Sequence, residues 1–433
     1  MKDLFNDKIF PAIMNVITSK PLTAVKDGMI ATISLTIIGS IFLLLANFPY
    51  LPIQQFFIDM GVKDHMMQVY RATFNLISVV AVFSVAYNYA KNAGKEGLGA
   101  GILAVITFMI LIPHTTVASG VAEVSQEAVK LTVANVFPMG YTGSKGLISA
   151  LIIGALTGME YTFFLTKGYT IKMPEGVPPN ISNSFAALIP GTVLFTAAFA
   201  INVFFVNFMG STAVDFIYKV IQTPLMGFSD SLVGVIVFST MVSLLWWFGV
   251  HGASLVGGIT SGIVTANMLA NQAVLDSGVA LTSANAAVYT TQVDAMWRIT
   301  GSGITFGIVF AFLFFAKSDQ FKTLGRLAAP SALFNINEPI LFGTPIVLNP
   351  KLFLPFIYVP VVAAVGSYLA IDWGFVPYYG AVSVPWTTPP IISGFITGGW
   401  QAALLQFAII VWSIVGYYPF IKKMDQDNVK LEQ

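Results

Sequence analysis

Long apolar runs decide what this chain can become. Stretches approaching the ~20 apolar residues a helix needs to cross a bilayer, at about 1.5 Å per residue, recur from Gly28 to Tyr418. Only 9% of the 433 residues are charged and 56% are hydrophobic, where a soluble domain carries roughly a quarter charged residues. Spans are expected at Gly28–Phe48, Val69–Ala90, Leu147–Thr166, Phe185–Phe208, Ser231–Phe248, Ser302–Ala316, Leu352–Ala370 and Ala402–Tyr418. Shorter ones are expected at Leu98–Pro113 and Leu255–Leu269. The reading is an all-α integral membrane protein of about ten transmembrane helices.

Lysine and arginine concentrate in cytoplasmic loops of membrane proteins. Lys91, Lys95, Lys167, Lys172, Lys317, Lys322, Arg326, Lys422, Lys423 and Lys430 fit one side, whereas Asn271–Trp297 holds no lysine or arginine and is expected outside. Both termini then fall in the cytoplasm, although Lys130 and Lys145 land in an outward loop. Met1–Asp27 mixes four lysines with three aspartates and lacks a signal-peptide core, so it reads as a cytoplasmic amphipathic lead-in.

Two apolar stretches do not read as spans. Ser331–Val347 is interrupted by Asn335-Ile336-Asn337-Glu338-Pro339, and Phe375–Thr397 contains Pro377, Pro385, Pro389 and Pro390. Each would strand backbone groups in lipid, which is tolerated only against protein or a water-filled cavity. Both are expected as re-entrant hairpins lining a pathway, as in transporters with discontinuous helices. Gly210–Pro224, with Asp215 and Lys219, reads as an amphipathic interfacial helix. The expected organisation is a scaffold half, 1–208, a linker, 209–230, and a substrate-binding half, 231–433.

A carboxylate inside a bilayer is costly, ~3 kcal/mol at a helix centre on insertion scales, so Glu338 is the leading candidate to meet a polar solute. Asn335 and Asn337 could bind a ligand or cap broken helix ends. His251 follows a span in Trp247-Phe248-Gly249-Val250-His251-Gly252, where glycines permit a turn and close approach. Trp386, among prolines, offers an aromatic platform for the apolar face of a sugar. Trp247 is a weaker platform or a belt residue. Asp294 and Arg298 are spaced to pair on a helix, Asp230 looks like a helix cap, and Glu160 can reach the interface. No cysteine and three scattered histidines argue against a metal centre, no cofactor is implied, and no basic patch points to nucleic acid.

The runs Phe334–Ile340 and Phe342–Ile346, Pro178-Pro179-Asn180-Ile181-Ser182-Asn183-Ser184-Phe185, and Trp247–Gly252 together resemble the membrane IIC subunits of the phosphoenolpyruvate-dependent sugar phosphotransferase system. The resemblance is to the lactose/cellobiose/diacetylchitobiose branch. It implies a homodimer formed through the first half, in a bacterial cytoplasmic membrane. It further implies a β-linked disaccharide, cellobiose or diacetylchitobiose, carried by an elevator-type motion and phosphorylated by a IIB partner, with IIA upstream. Glu338 and His251 would then be catalytic, near the sugar hydroxyl that receives phosphate. Asn335, Asn337, Trp386, Trp247, Asn180 and Asn183 would bind substrate. The donor in such systems is a IIB cysteine, which this chain lacks, so a separate channel subunit is expected. The alternative is a proton-coupled secondary transporter of a small polar solute, with Glu338 as the proton site.

Overall fold

The computed structural model describes residues 15, 19–47, 51–121, 128–174, 176–344 and 346–432. Most of the Met1–Asp27 lead-in lies outside them. The chain forms two compact units, one from the described residues of Met1–Gly39 with Ile58–Leu225, the other from Ser40–Phe57 with Met226–Gln433. Among the described residues seven helices are long and apolar enough to cross a membrane, or eight if Ala213–Ser229 and Leu232–Trp247 make one bent span. This is a multi-pass membrane protein.

The first unit takes α1 (Lys20–Ala46) as far as Gly39, while α2 (Leu51–Asp59) belongs largely to the second. It continues with α3 (Lys63–Phe74), α4 (Ile77–Asn92) and α5 (Leu98–Leu111). An antiparallel hairpin follows, β1 (Thr115–Val121) and β2 (Ala128–Ala134), in register Thr115↔Ala134. Its β-branched threonines and valines favour extended backbone, an exception to the all-helical expectation that hydropathy does not announce. Then come α6 (Met139–Thr142), α7 (Leu147–Lys167), α8 (Pro179–Ala186), α9 (Leu188–Met209) and α10 (Ala213–Ile217). The core joins Val82, Ala86 and Ala90 of α4 to Ala104 and Phe108 of α5 and to Ala150 and Ile153 of α7. Small residues let these backbones approach. A Cβ added at Gly154 would lie 2.8 Å from the Val82 carbonyl oxygen, and one at Gly158 2.6 Å from Tyr89 Cβ.

The stretch expected as an interfacial helix, Gly210–Pro224, falls on a helix that carries a π-helical turn. It consists of α10, a π-helical turn at Tyr218–Gln222, and the start of α11 (Thr223–Ser229). Asp215 is not a water-facing charge. Its carboxylate accepts from the Tyr141 hydroxyl at 2.7 Å, Lys145 Nζ at 2.6 Å and the Thr212 hydroxyl at 2.8 Å. Glu160 does not reach out either; both its oxygens are buried without a hydrogen-bond partner among the described residues.

The second unit contains α12 (Leu232–Trp247), α13 (Gly252–Asp276), α14 (Thr291–Met296), α15 (Phe306–Phe314), α16 (Asp319–Ala332), α17 (Glu338–Gly343), α18 (Pro350–Asp372) and α19 (Ile392–Glu432). Here α12 packs on α18 and α15 on α19, where Gly307 has no room for a Cβ against the Ser413 backbone. The span expected at Ser302–Ala316 shortens to the nine residues of α15. Thr300, Gly301, Gly303 and Ile304 all have positive φ, so the chain coils until Phe306. Asp230 is not the cap of α12; Ser231 is, and Asp230 accepts from the Tyr289 N–H at 2.6 Å. Asp294 and Arg298 do form an ion pair, and Asp294 also accepts from the Tyr289 hydroxyl at 2.6 Å.

The proline-rich stretch after α18 has no regular structure from Gly374 until α19, which is itself interrupted at Gly398–Gly399. Its backbone groups are satisfied from outside. Asn271 donates to the Tyr379 carbonyl at 2.9 Å, and Gln272 accepts from the Ala381 N–H at 2.8 Å. Gln292 donates to the Gly380 and Val382 carbonyls at 3.0 and 2.7 Å. Gln406 Oε1 accepts from the N–H groups of Ile391 and Gly394 at 2.6 and 2.9 Å. Side-chain amides thereby supply what neither helix nor water does in such a setting.

Candidate functional site

The Asn-Glu-Pro segment is a tight link between α16 and α17. Asn335 has φ of 63°, a left-handed conformation that asparagine tolerates better than most residues. Its amide joins three chain segments: Nδ2 donates to the carbonyls of Trp386 at 2.6 Å and Thr388 at 3.0 Å, and Oδ1 accepts from the Thr300 N–H at 2.6 Å. Asn337, 4% exposed, donates to the Ser302 carbonyl at 2.8 Å and the Thr305 hydroxyl at 3.0 Å. Gly301, at φ of 95°, leaves the space that the Asn337 side chain fills.

Glu338 is the first residue of α17, and Pro339 occupies the next position, where a missing N–H costs no helical bond. The carboxylate is exposed, and no hydrogen bond or ion pair engages it among the described residues. Two pinned asparagines thus present one unpartnered acceptor.

His251 stands at the start of α13, beyond Gly249 with φ of 83°. Its Nδ1 accepts from the Ser254 N–H at 3.0 Å, capping the helix, and its ring lies 4.4 Å from that of Trp246, centroid to centroid. An Nδ1 that accepts forces the proton of a neutral imidazole onto Nε2. The exposed ring therefore offers a donor.

Trp247 is half-buried. Its Nε1 donates to the Asn349 carbonyl at 3.0 Å, its carbonyl accepts from the Leu348 N–H at 2.8 Å, and its ring packs edge-on against Phe353. The turn before His251 is thereby tied to the chain that leaves α17. Trp386 is 66% exposed, and its carbonyl is held by Asn335. Asn180 and Asn183 lie in the first unit on α8, where Asn180 is exposed. The structure therefore joins the 300–305, 335–338 and 386–388 segments, and separately the 247–251 and 347–349 segments, within one unit. Sequence reasoning missed Gln406, whose only signal is a glutamine inside the apolar run Ala402–Tyr418.

Comparison with known proteins agrees with this architecture. The family model for the phosphotransferase system, EIIC, matches residues 26–360. The lichenan permease IIC component of Bacillus subtilis (strain 168) is 34% identical over 100% of this chain and 95% of its own. The cellobiose-specific EIIC component of Geobacillus stearothermophilus is 34% identical over 99% and 95%. Among solved structures, the transporter ChbC, the IIC component of the N,N'-diacetylchitobiose-specific phosphotransferase system, superimposes with a TM-score of 0.91 at 34% identity, covering 99% of each chain. With its apolar helices, its broken Asn-Glu-Pro segment and these likenesses along its whole length, the chain belongs to the EIIC family of the sugar phosphotransferase system.

Proposed function

We propose that this permease takes a β-linked disaccharide, cellobiose or diacetylchitobiose ahead of lactose, and delivers it for phosphorylation by a IIB partner that IIA recharges. The single observation that carries the site is Glu338: an exposed, unpartnered carboxylate held on a braced turn. It accepts a hydrogen bond from the hydroxyl at C6 of the non-reducing sugar. As that oxygen attacks phosphorus, the O–P bond forms, the S–P bond to the IIB cysteine breaks, and Glu338 takes the proton. Positioning does most of the work in such a transfer. His251 donates from Nε2, and Trp386 covers an apolar sugar face.

Asn335, Asn337 and Trp247 take a different part from direct substrate contact. The Asn335 amide, the Asn337 Nδ2 and the Trp247 Nε1 are already engaged with the chain, so these residues position the turn and the His251 approach. Asn180 and Asn183 serve the scaffold unit. The first unit makes the homodimer, the second moves sugar elevator-fashion, and both termini face the cytoplasm of a bacterial cell. The sugar class draws support from relatives named for cellobiose, for lactose in Staphylococcus aureus (strain N315) and for oligo-beta-mannosides in Bacillus subtilis (strain 168). Family membership displaces the proton-coupled alternative.

The test is binding of radiolabelled cellobiose and diacetylchitobiose to purified protein, followed by phosphotransfer from phosphorylated IIB. Saturable binding that Glu338→Gln abolishes supports the site and ranks the sugars. Sugar phosphate formed at the wild-type rate by that variant removes Glu338 from the chemistry.

A further inference from the structure

The helix that leads into the Asn-Glu-Pro turn carries an exposed face that the sugar chemistry leaves unused. On α16, Phe321, Gly325, Ala328 and Ala332 are buried, while Thr323, Arg326, Leu327 and Pro330 face outward at helical spacing, with Leu327 70% exposed. Leu333 and Phe334 extend this exposed strip to the turn that holds Glu338. At its other end α16 is fastened to the C-terminal part of α19. The Asp425 carboxylate accepts from the N–H groups of Lys317 and Ser318 at 2.8 and 3.0 Å, and Glu432 accepts from the N–H groups of Asp319 and Gln320 at 3.1 Å. Lys351, at the start of α18, donates to Asp427 at 2.7 Å, so a third helix end meets the other two.

This junction exposes cations that stand outside its ion pairs. Lys317, Arg326 and Lys423 are exposed and form no ion pair among the described residues, in contrast to Lys322 with Asp319 and Lys351 with Asp427. They belong to the side of the protein where lysine and arginine concentrate.

We propose that the outward face of α16, with the adjoining ends of α18 and α19, is the docking surface for the phosphorylated IIB protein. The proposal rests on the permease reading above and adds to it the place where the partner sits. The occupant must bring a doubly charged phosphoryl group to the hydroxyl held at Glu338, and α16 runs into that segment with no element between. A partner seated along Arg326 and Leu327 therefore sits on the helix that leads to the acceptor. Cations beside the approach attract an anionic donor and raise its encounter rate. Leu327 gives the contact an apolar centre.

The experiment measures phosphotransfer to bound sugar from a phosphorylated IIB protein of the lactose/cellobiose type, with the full chain in neutral-lipid nanodiscs. Arg326→Glu should raise the KM for IIB ~10-fold and flatten its salt dependence, with the sugar Kd unchanged; Arg326→Ala should fall between. An unchanged KM overturns the surface, as does a defect that appears only when phosphatidylglycerol is added, since lipid would then be the occupant. Absence of IIB-dependent phosphotransfer in the wild-type protein overturns the permease reading itself.

Discussion

Asn335 donates its side-chain N–H to the carbonyl of Trp386 at 2.6 Å, tying the Asn-Glu-Pro turn to the proline-rich segment 51 residues further on. The same amide holds Thr388 and Thr300. Asn335→Ala strands three backbone groups and places alanine in a left-handed conformation. Each lost bond costs about 1–3 kcal/mol where the partner stays unsatisfied, so a clear fall in Tm and at least ~10-fold weaker sugar binding are expected. Asn335→Gly relieves the backbone but not the bonds, and should recover only part of the Tm. Wild-type sugar affinity in the alanine variant would disconnect the brace from the site.

Glu338 makes no hydrogen bond among the described residues, so its replacement should cost little stability. Surface changes away from such contacts stay within about 0.5 kcal/mol. Glu338→Gln is expected to unfold within a degree or two of wild type on that scale while losing phosphotransfer by ~100-fold or more. A large Tm loss would show that the carboxylate supports the fold.

His251 has two separable jobs. Asparagine is a strong helix cap, so His251→Asn keeps the Ser254 bond and removes the Nε2 donor. Stability should hold while sugar phosphorylation falls. His251→Ala loses the cap as well, at about 1 kcal/mol. Equal kinetics for wild type and His251→Asn, read from initial rates of sugar-phosphate formation, would confine the residue to capping.

Asp425 lies past the last apolar turn of α19. Burial, the largest influence, pushes its pKa up, but the N–H groups of Ser318 and Lys317 and the Ser318 hydroxyl outweigh it, leaving the carboxyl below its ordinary 3.8. A depressed folded-state pKa gives stability that is present above the ordinary value and lost as pH falls through the folded one. Hydrogen exchange at Ser318 should therefore stay slow at pH 5 and accelerate below about 3.8. Asp425→Asn should remove that pH dependence; a Ser318 amide that ignores pH in the wild-type protein would reject the link.

The helical class and the two broken stretches were legible because lipid imposes them: apolar length and proline position are local properties. Glu338 stood out for the same reason, as a charge in an apolar stretch, and the structure leaves it exposed; the Asp294–Arg298 pair was legible because the two lie four positions apart. What hydropathy hid depends on partners distant in sequence. The Asn335 amide reads equally as a ligand contact or a cap until Thr300 and Trp386 are seen beside it. The Asp215 carboxylate looks solvent-facing until Tyr141 and Lys145 close on it, and Ser302–Ala316 looks like a span because hydropathy ignores φ. The β1–β2 hairpin lies between spans, where hydropathy is least informative.

The stretch from Tyr379 to Gly394 takes much of its shape from Asn271, Gln272, Gln292, Asn335 and Gln406, which contact its backbone. Its exposed side chains, such as Trp386, are correspondingly free of that duty. On the permease reading proposed above, a lineage can exchange them, Trp386 included, and alter which sugar is preferred without re-solving the fold. The template for this loop is kept elsewhere, and that separates the inheritance of shape from the inheritance of taste.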